Sequence, residues 1–204
     1  MRRALLALVL GTALLAVLAP AWLPVVGTAL VVEDAVAPAD AALVLDGGGR
    51  DMLDAVEGWR RAGLVREVVV VEAPVKTHAL VAYWTDFVGW GLAPPPPIPA
   101  DHLHVVRSPS GLAGEQARAA LPTLIELGAQ SVLVPGGWLG SRLGQREVTS
   151  VLRPAAISVR MLRPGPPPRP PERWYQDAED RRAVLDALFQ LAFPFVSGYS
   201  PEDT

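Results

Sequence analysis

The chain has 204 residues, a formal net charge of −3, an isoelectric point near 5.6 and no cysteine. The missing cysteines exclude disulfides, thiolate metal sites and a cysteine nucleophile. The acidic balance, with no Lys/Arg-rich run, provides no basic field for nucleic acid.

From Ala4 to Val32 there is no charged residue; Arg2 and Arg3 stand before this run and Glu33 after it. About 20 apolar residues cross a hydrocarbon layer, and the run exceeds that even if Pro20 and Pro24 break it into a spanning helix and a short exit segment. Residues 1–32 are therefore expected to form an N-terminal membrane anchor. The two arginines keep the N-terminus cytoplasmic and place residues 33–204 outside the membrane as one domain. A cleaved signal segment is the competing reading, since Ala19-Pro20-Ala21 offers small residues, but the apolar core is longer than the usual signal core.

Beyond the anchor, short β-branched runs alternate with segments of helical period, the pattern of an α/β domain with a mostly parallel sheet. The first strand is 41–45, followed by Asp46-Gly47-Gly48-Gly49-Arg50 and a helix carrying Met52, Ala55, Val56 and Trp59 that stops at Gly63. A second strand, 67–71, leads through Glu72 to a helix expected over 76–88. Pro94 to Pro97 and Pro99 form a stiff connector. A third strand (102–106), a helix (115–127) and a fourth strand (131–134) running into Pro135-Gly136-Gly137 come next. A helix over 142–152, a strand over 156–162, a second proline connector and a final helix over 177–193, ended by Pro194, complete the chain.

In open α/β sheets, ligands sit beyond the carboxyl ends of the strands. That rule selects Asp46 to Gly49, Glu72, Ser108, Ser110, Gly136, Gly137 and Trp138. Consecutive glycines before a helix suit a phosphate or carboxylate cradle, or simply a tight turn; neither G-x-G-x-x-G nor a P-loop is present. Asp46 and Glu72 are oxygen donors suited to a hard cation but are as readily helix caps, and no metal site is expected. His78, His102 and His104 lack zinc spacing, and His102-Leu103-His104 places two imidazoles on one strand face. No G-x-S-x-G elbow occurs.

Asp40 before the first strand, Leu45-Asp46-Gly47-Gly48-Gly49-Arg50, and then Arg61-Ala62-Gly63 resemble the opening of the YdcF/SanA/ElyC-like family of bacterial envelope proteins. Ser108 through Glu115-Gln116-Ala117 resembles its serine-containing segment, and Val132 through Arg142 its strand leading to a Thr-Ser-x-x-His-x-x-Arg motif. Trp174-Tyr175 and Glu179 resemble its C-terminal aromatic and acidic segment. The resemblance implies a single-pass membrane protein with a three-layer, Rossmann-like domain, tied to cell-envelope integrity or precursor metabolism. Glu115 and Arg142 hold their motif positions, whereas the motif histidine is Leu139, its Thr-Ser pair is Pro135-Gly136, and the first glycine of the turn is Asp46.

The expected site therefore comprises Asp46, Gly47, Gly48, Gly49, Arg50, Ser108, Glu115, Trp138 and Arg142, with Arg142 pointing toward the glycine turn and Glu115. Its expected ligand is an anionic small molecule or a lipid-linked precursor of the envelope, and no cofactor is specified. The alternative is a degenerate, non-catalytic interaction module tethered to the membrane.

Overall fold

A computed structural model describes residues 17–47, 49–76, 81–82, 84–89, 91, 95–136, 139, 141–165 and 170–197. The chain divides into two compact units, one of residues 1–31, 138–143 and 167–204, the other of 32–137 and 144–166.

The strands are β1 (Ala41–Val44), β2 (Glu67–Glu72), β3 (Val75–Lys76), β4 (Val81–Ala82), β5 (Leu103–Arg107), β6 (Ser131–Pro135) and β7 (Ser158–Leu162). The helices are α1 (Ala19–Ala29), α2 (Arg50–Arg61), α3 (Trp84–Gly89), α4 (Ala113–Glu126), α5 (Ser141–Leu152) and α6 (Ala178–Ser197). Five strands form one parallel sheet in the order β5-β2-β1-β6-β7, and β3 and β4 pair as a short antiparallel hairpin. The chain leaves β1 toward β2 and β5, then crosses back to β6, so the order reverses between β1 and β6.

Successive strand residues face opposite sides, and the apolar runs feed two cores. Ala41, Leu43, Val69 and Val71 pack with Ala117, Ala120 and Leu124 of α4 and with Val148 and Leu152 of α5. Ala42, Val44, Val68 and Val70 pack with Leu53 and Val56 of α2. A sheet buried on both faces needs apolar residues at every central position, and β1 is buried at all four. This unit is thus an α/β domain with helices on both sheet faces and a Rossmann-like strand order.

Two devices secure the sheet's margins. The segment 33–38 lies along β7: the Asp34 N–H donates to the Met161 carbonyl at 2.9 Å, the Met161 N–H returns to the Asp34 carboxylate at 2.7 Å, and Arg163 pairs with Glu33 at 3.0 Å. That blocks an edge otherwise open to another chain. At the amino ends of the central strands, Asp40 Oδ2 accepts the N–H groups of Gln130 and Ser131 at 3.0 Å each and the Ser131 hydroxyl at 2.8 Å, while Oδ1 takes Arg66 Nη2 at 3.0 Å. One carboxylate so ties the starts of β1, β2 and β6.

The smaller unit gathers α1, the 3-10 turn Pro171–Gln176 and α6. Leu30, Trp174, Val184 and Ala187 form its core, with Leu23, Val26, Leu139 and Tyr175 packed against them. The Trp174 indole N–H donates to the Leu23 carbonyl at 2.6 Å. Gly27 makes this approach possible, because a Cβ there would stand 2.0 Å from the Pro171 carbonyl oxygen.

Several elements depart from the sequence expectation. Where one helix was expected over 76–88, β3, β4 and the short α3 appear, with residues 77–80 and 83 outside the described set. The seventh strand starts at Ser158 instead of 156, because Ala156 takes a left-handed φ of 59° to close the turn Arg153–Ala155. Pro24 does not break α1: it sits inside the helix, and Pro20 occupies the first turn, where no N–H is needed. Pro194 likewise lies within α6, which continues to Ser197; a proline removes one backbone bond, and a helix end tolerates that better than its centre. Among the described residues no helix is long and apolar enough to cross a membrane, and residues 1–16 of the expected anchor lie outside them.

Backbone and hydroxyl donors from Gln130 and Ser131 hold the Asp40 carboxyl below its ordinary range, and Arg60 with Arg61 does the same for Glu57. A depressed carboxyl stabilises the fold fully above its unfolded value, about pH 4, and that stability is lost as pH falls through the lower folded value. Asp40→Ala is expected to lower unfolding free energy at pH 7 by about 2 kcal/mol, the range for hydrogen bonds to a charged group. Urea denaturation at pH 7 and pH 3 measures this, and the variant's loss between the two should be smaller than the parent's.

Candidate functional site

The carboxyl ends of β1 and β6 flank the point where strand order reverses, which is where such sheets place their crevice. Asp46 and Gly47 follow β1 with φ of 56° and 72°. Two successive left-handed residues turn the chain sharply, and only glycine takes this conformation freely, though aspartate tolerates it. Asp46 is pinned from both sides: its N–H donates to Gln116 Oε1 at 2.7 Å, and Gln116 Nε2 donates to Asp46 Oδ1 at 2.6 Å. Gln116 is fully buried on α4, so each group satisfies what the other would leave unpaired. The Gly47 N–H closes the turn on the Val71 carbonyl at 2.7 Å.

The turn delivers the chain to α2, whose N-cap is Gly49, with φ −69°, ψ 166° and no side-chain cap. A Cβ at Gly49 would meet nothing within 4 Å, so open space lies over that position. Arg50, the first residue of α2, bonds Asp54 Oδ2 at 3.2 Å and the Pro95 carbonyl at 3.0 Å.

The start of α4 is differently filled. Ser108 is buried and engages both the N–H and the carbonyl of Ser110, whose own hydroxyl accepts the Leu112 N–H at 3.1 Å. In the first turn of α4, the Gly114 N–H donates to the Glu147 carboxylate of α5 at 3.3 Å, a negative group at the positive end of a helix. Glu115 pairs with Arg118 of the same helix. Glu72, at the end of β2, is buried and accepts the Thr85 N–H and hydroxyl at 2.7 Å each, with Arg107 Nε at 3.7 Å. It fixes the start of α3.

Asp46, Gly47, Gly49, Arg50, Ser108 and Glu115 all follow the carboxyl ends of strands in the larger unit, as the chain order implied. Gly48 and Trp138 lie outside the described residues. Leu139 and Arg142 belong to the smaller unit. There Leu139 packs against the core around Leu30 and Trp174. The Arg142 backbone N–H donates to the Leu30 carbonyl at 3.2 Å and its side-chain Nε to the Ala29 carbonyl. These are carbonyls at the carboxyl end of α1, left without partners inside the helix, so Arg142 caps α1.

Sequence reasoning named Gln116 and Glu147 in no site role. The one available signal was Gln116, a polar side chain on the stripe of α4 that carries Ala117, Ala120 and Leu124. Among the described residues no group of three or more His, Asp or Glu side chains could hold a metal. His102 and His104 instead both approach Glu67, at 3.5 and 3.1 Å. Two shallow cavities, of about 160 and 230 Å³, lie at the amino edge of the sheet around Asp40 and Arg66, the end opposite the glycine turn.

No protein-family model matches this chain, and neither curated proteins nor solved structures show a match.

Gln116→Leu should cost about 2 kcal/mol, since it strands the Asp46 N–H and carboxylate together. Asp46→Gly in that background should recover part of the loss, because glycine takes the left-handed turn without strain and brings no carboxylate. Chemical denaturation of the single and double variants measures both; additive losses would show that the two residues do not act as a pair.

Proposed function

We propose that this protein is a membrane-tethered, extracytoplasmic module of the cell envelope that works by interaction and not by catalysis. The uncharged run from Ala4 to Val32 behind Arg2 and Arg3 supports the tether and its orientation. The observation that carries the rest is the employment of residues 139–142. Leu139, standing where the envelope family it resembles has a histidine, fills an apolar core. Arg142, the surviving motif arginine, holds the end of α1. On this reading packing stands where that family has its histidine, and the cation nearby serves the helix that ends the apolar run. The groups at the crevice point the same way, with Asp46 matched to Gln116, Glu147 set on the start of α4, and Arg50 and Glu115 paired within their own helices.

One observation favours a second reading, the binding of an anionic small molecule or lipid-linked precursor. The amino end of α2 has no side-chain cap, and the space at Gly49 is open, so its N–H groups suit an anion.

Thermal unfolding of the full chain in detergent, with and without inorganic phosphate, separates the two. The interaction module predicts no phosphate shift. Arg142→Ala should lower the midpoint by about 2–4 °C, the equivalent of about 1 kcal/mol at a helix end in a chain of this size, with faster proteolysis around residues 29–31. A phosphate-induced rise that disappears in Gly49→Asp, where a carboxylate takes the anion's place, would establish the binding reading instead. A reporter fused at Thr204 that works only in the cytoplasm would, if active, overturn the orientation.

A further inference from the structure

We propose that the carboxyl-terminal half of α6 is a second membrane contact, entering the lipid interface beside the N-terminal anchor; this rests on the tethered reading above. Along most surface helices polarity changes around the axis, with one face apolar and the other wet. In α6 it changes along the axis. The first two turns carry Glu179, Asp180, Arg181 and Arg182, and after Asp186 no charged residue occurs until Glu202. Between Val184 and Phe189 apolar side chains stand on both faces. Val184 and Ala187 are buried against Leu30 and Trp174, whereas Leu185 and Phe189 on the other side are 61% and 69% exposed and Leu188 is 38% exposed.

Large apolar side chains on the outer as well as the inner face favour a cover of protein or lipid on both. The occupant is indicated by what shares this unit. α1 is the last part of the uncharged run, it packs against the same core as α6, and it too leaves large apolar side chains exposed, with Val25 at 61% and Trp22 at 42%. The apolar surface of α6 therefore continues the surface of the segment assigned to the membrane.

The depth of the contact follows from length. Residues 187–197 of α6 rise about 16 Å at 1.5 Å per residue, about half the thickness of a hydrocarbon layer. Such a segment dips into the interface without crossing it, its charged first turns staying in water.

The absence of native cysteine makes the test direct. Single variants Phe189→Cys, Val25→Cys and Val105→Cys of the full chain carry an environment-sensitive fluorophore in vesicles of mixed neutral and anionic phospholipid containing lipids with nitroxide-labelled acyl chains. Val105 is an exposed residue of β5 in the other unit. The proposal expects at least twofold quenching at positions 25 and 189 and none at 105. Quenching at 25 but not at 189 overturns the second contact while leaving the tether intact. Quenching at neither, with the protein released from vesicles by carbonate, removes the tether and the second contact together. Protection of position 189 by contact with another copy, seen as cysteine cross-linking between chains without lipid quenching, also overturns it. A second variant, Phe189→Glu, guards against label artefacts: placed in lipid, the charge should expel α6 and abolish quenching from a label at 188, and unchanged quenching would sink the proposal.

Discussion

The bond from the Trp174 indole to the Leu23 carbonyl, 2.6 Å long and admitted by the missing side chain of Gly27, is the contact on which the smaller unit depends. It joins residues 151 positions apart and puts a large aromatic ring against the end of the chain's longest apolar run. A buried indole N–H must find an acceptor, and the carbonyl it takes belongs to the helix it packs on. Trp174 thereby supplies apolar contact and polar satisfaction at once. Val184 and Ala187 of α6 close around the same ring, so α1 and α6 share one core.

Arg142 follows from that arrangement. Once α1 ends against Trp174, its last carbonyls need donors, and the residues after β6 provide them. A guanidinium at a helix carboxyl end gains from the dipole as well as from the hydrogen bond. The same side chain cannot hold this geometry and also swing freely to meet a ligand. The crevice of the larger unit shows a parallel case. A left-handed aspartate stands at the turn, and its strain is offset by two hydrogen bonds exchanged with a buried glutamine.

The α/β architecture was legible because it rests on local signals. The apolar run of β1 and the four consecutive valines of β2 announce strands buried on both faces, and Gly63 and Gly128 mark helix ends through positive φ. The strand-end rule then placed Asp46, Ser108 and Ser110 in one region without knowledge of any contact. The failures share a cause. The hairpin of β3 and β4 replaced a helix because a run of mixed propensity between 76 and 88 is decided by tertiary context. Glu147 on Gly114 and Arg142 on Ala29 join residues 33 and 113 positions apart, and no spacing in the sequence records such pairs. Leu139 was visible as a departure from a motif, but the core that receives it, drawn from three separate stretches of chain, was not.

Polarity that changes along a helix axis carries different information from polarity that changes around it. A stripe specifies which side faces a protein core; an axial gradient specifies which end leaves water. Helix α6 has the gradient, with its five charged residues confined to 179–186 and the exposed Leu188 and Phe189 beyond them. Leaving large apolar side chains exposed to water costs about 1.5–3 kcal/mol each relative to burial, so two or three of them on one helix are a standing cost in a purely aqueous setting. The same residues turn favourable at a lipid interface. Since α1 and α6 share a core, lipid contact by one would hold the other at the same surface, and two contacts restrict tilting relative to the membrane more than one helix can. A module that acts by interaction gains from this constraint, because a fixed orientation toward the membrane removes part of the rotational freedom that any membrane-bound partner would otherwise have to overcome.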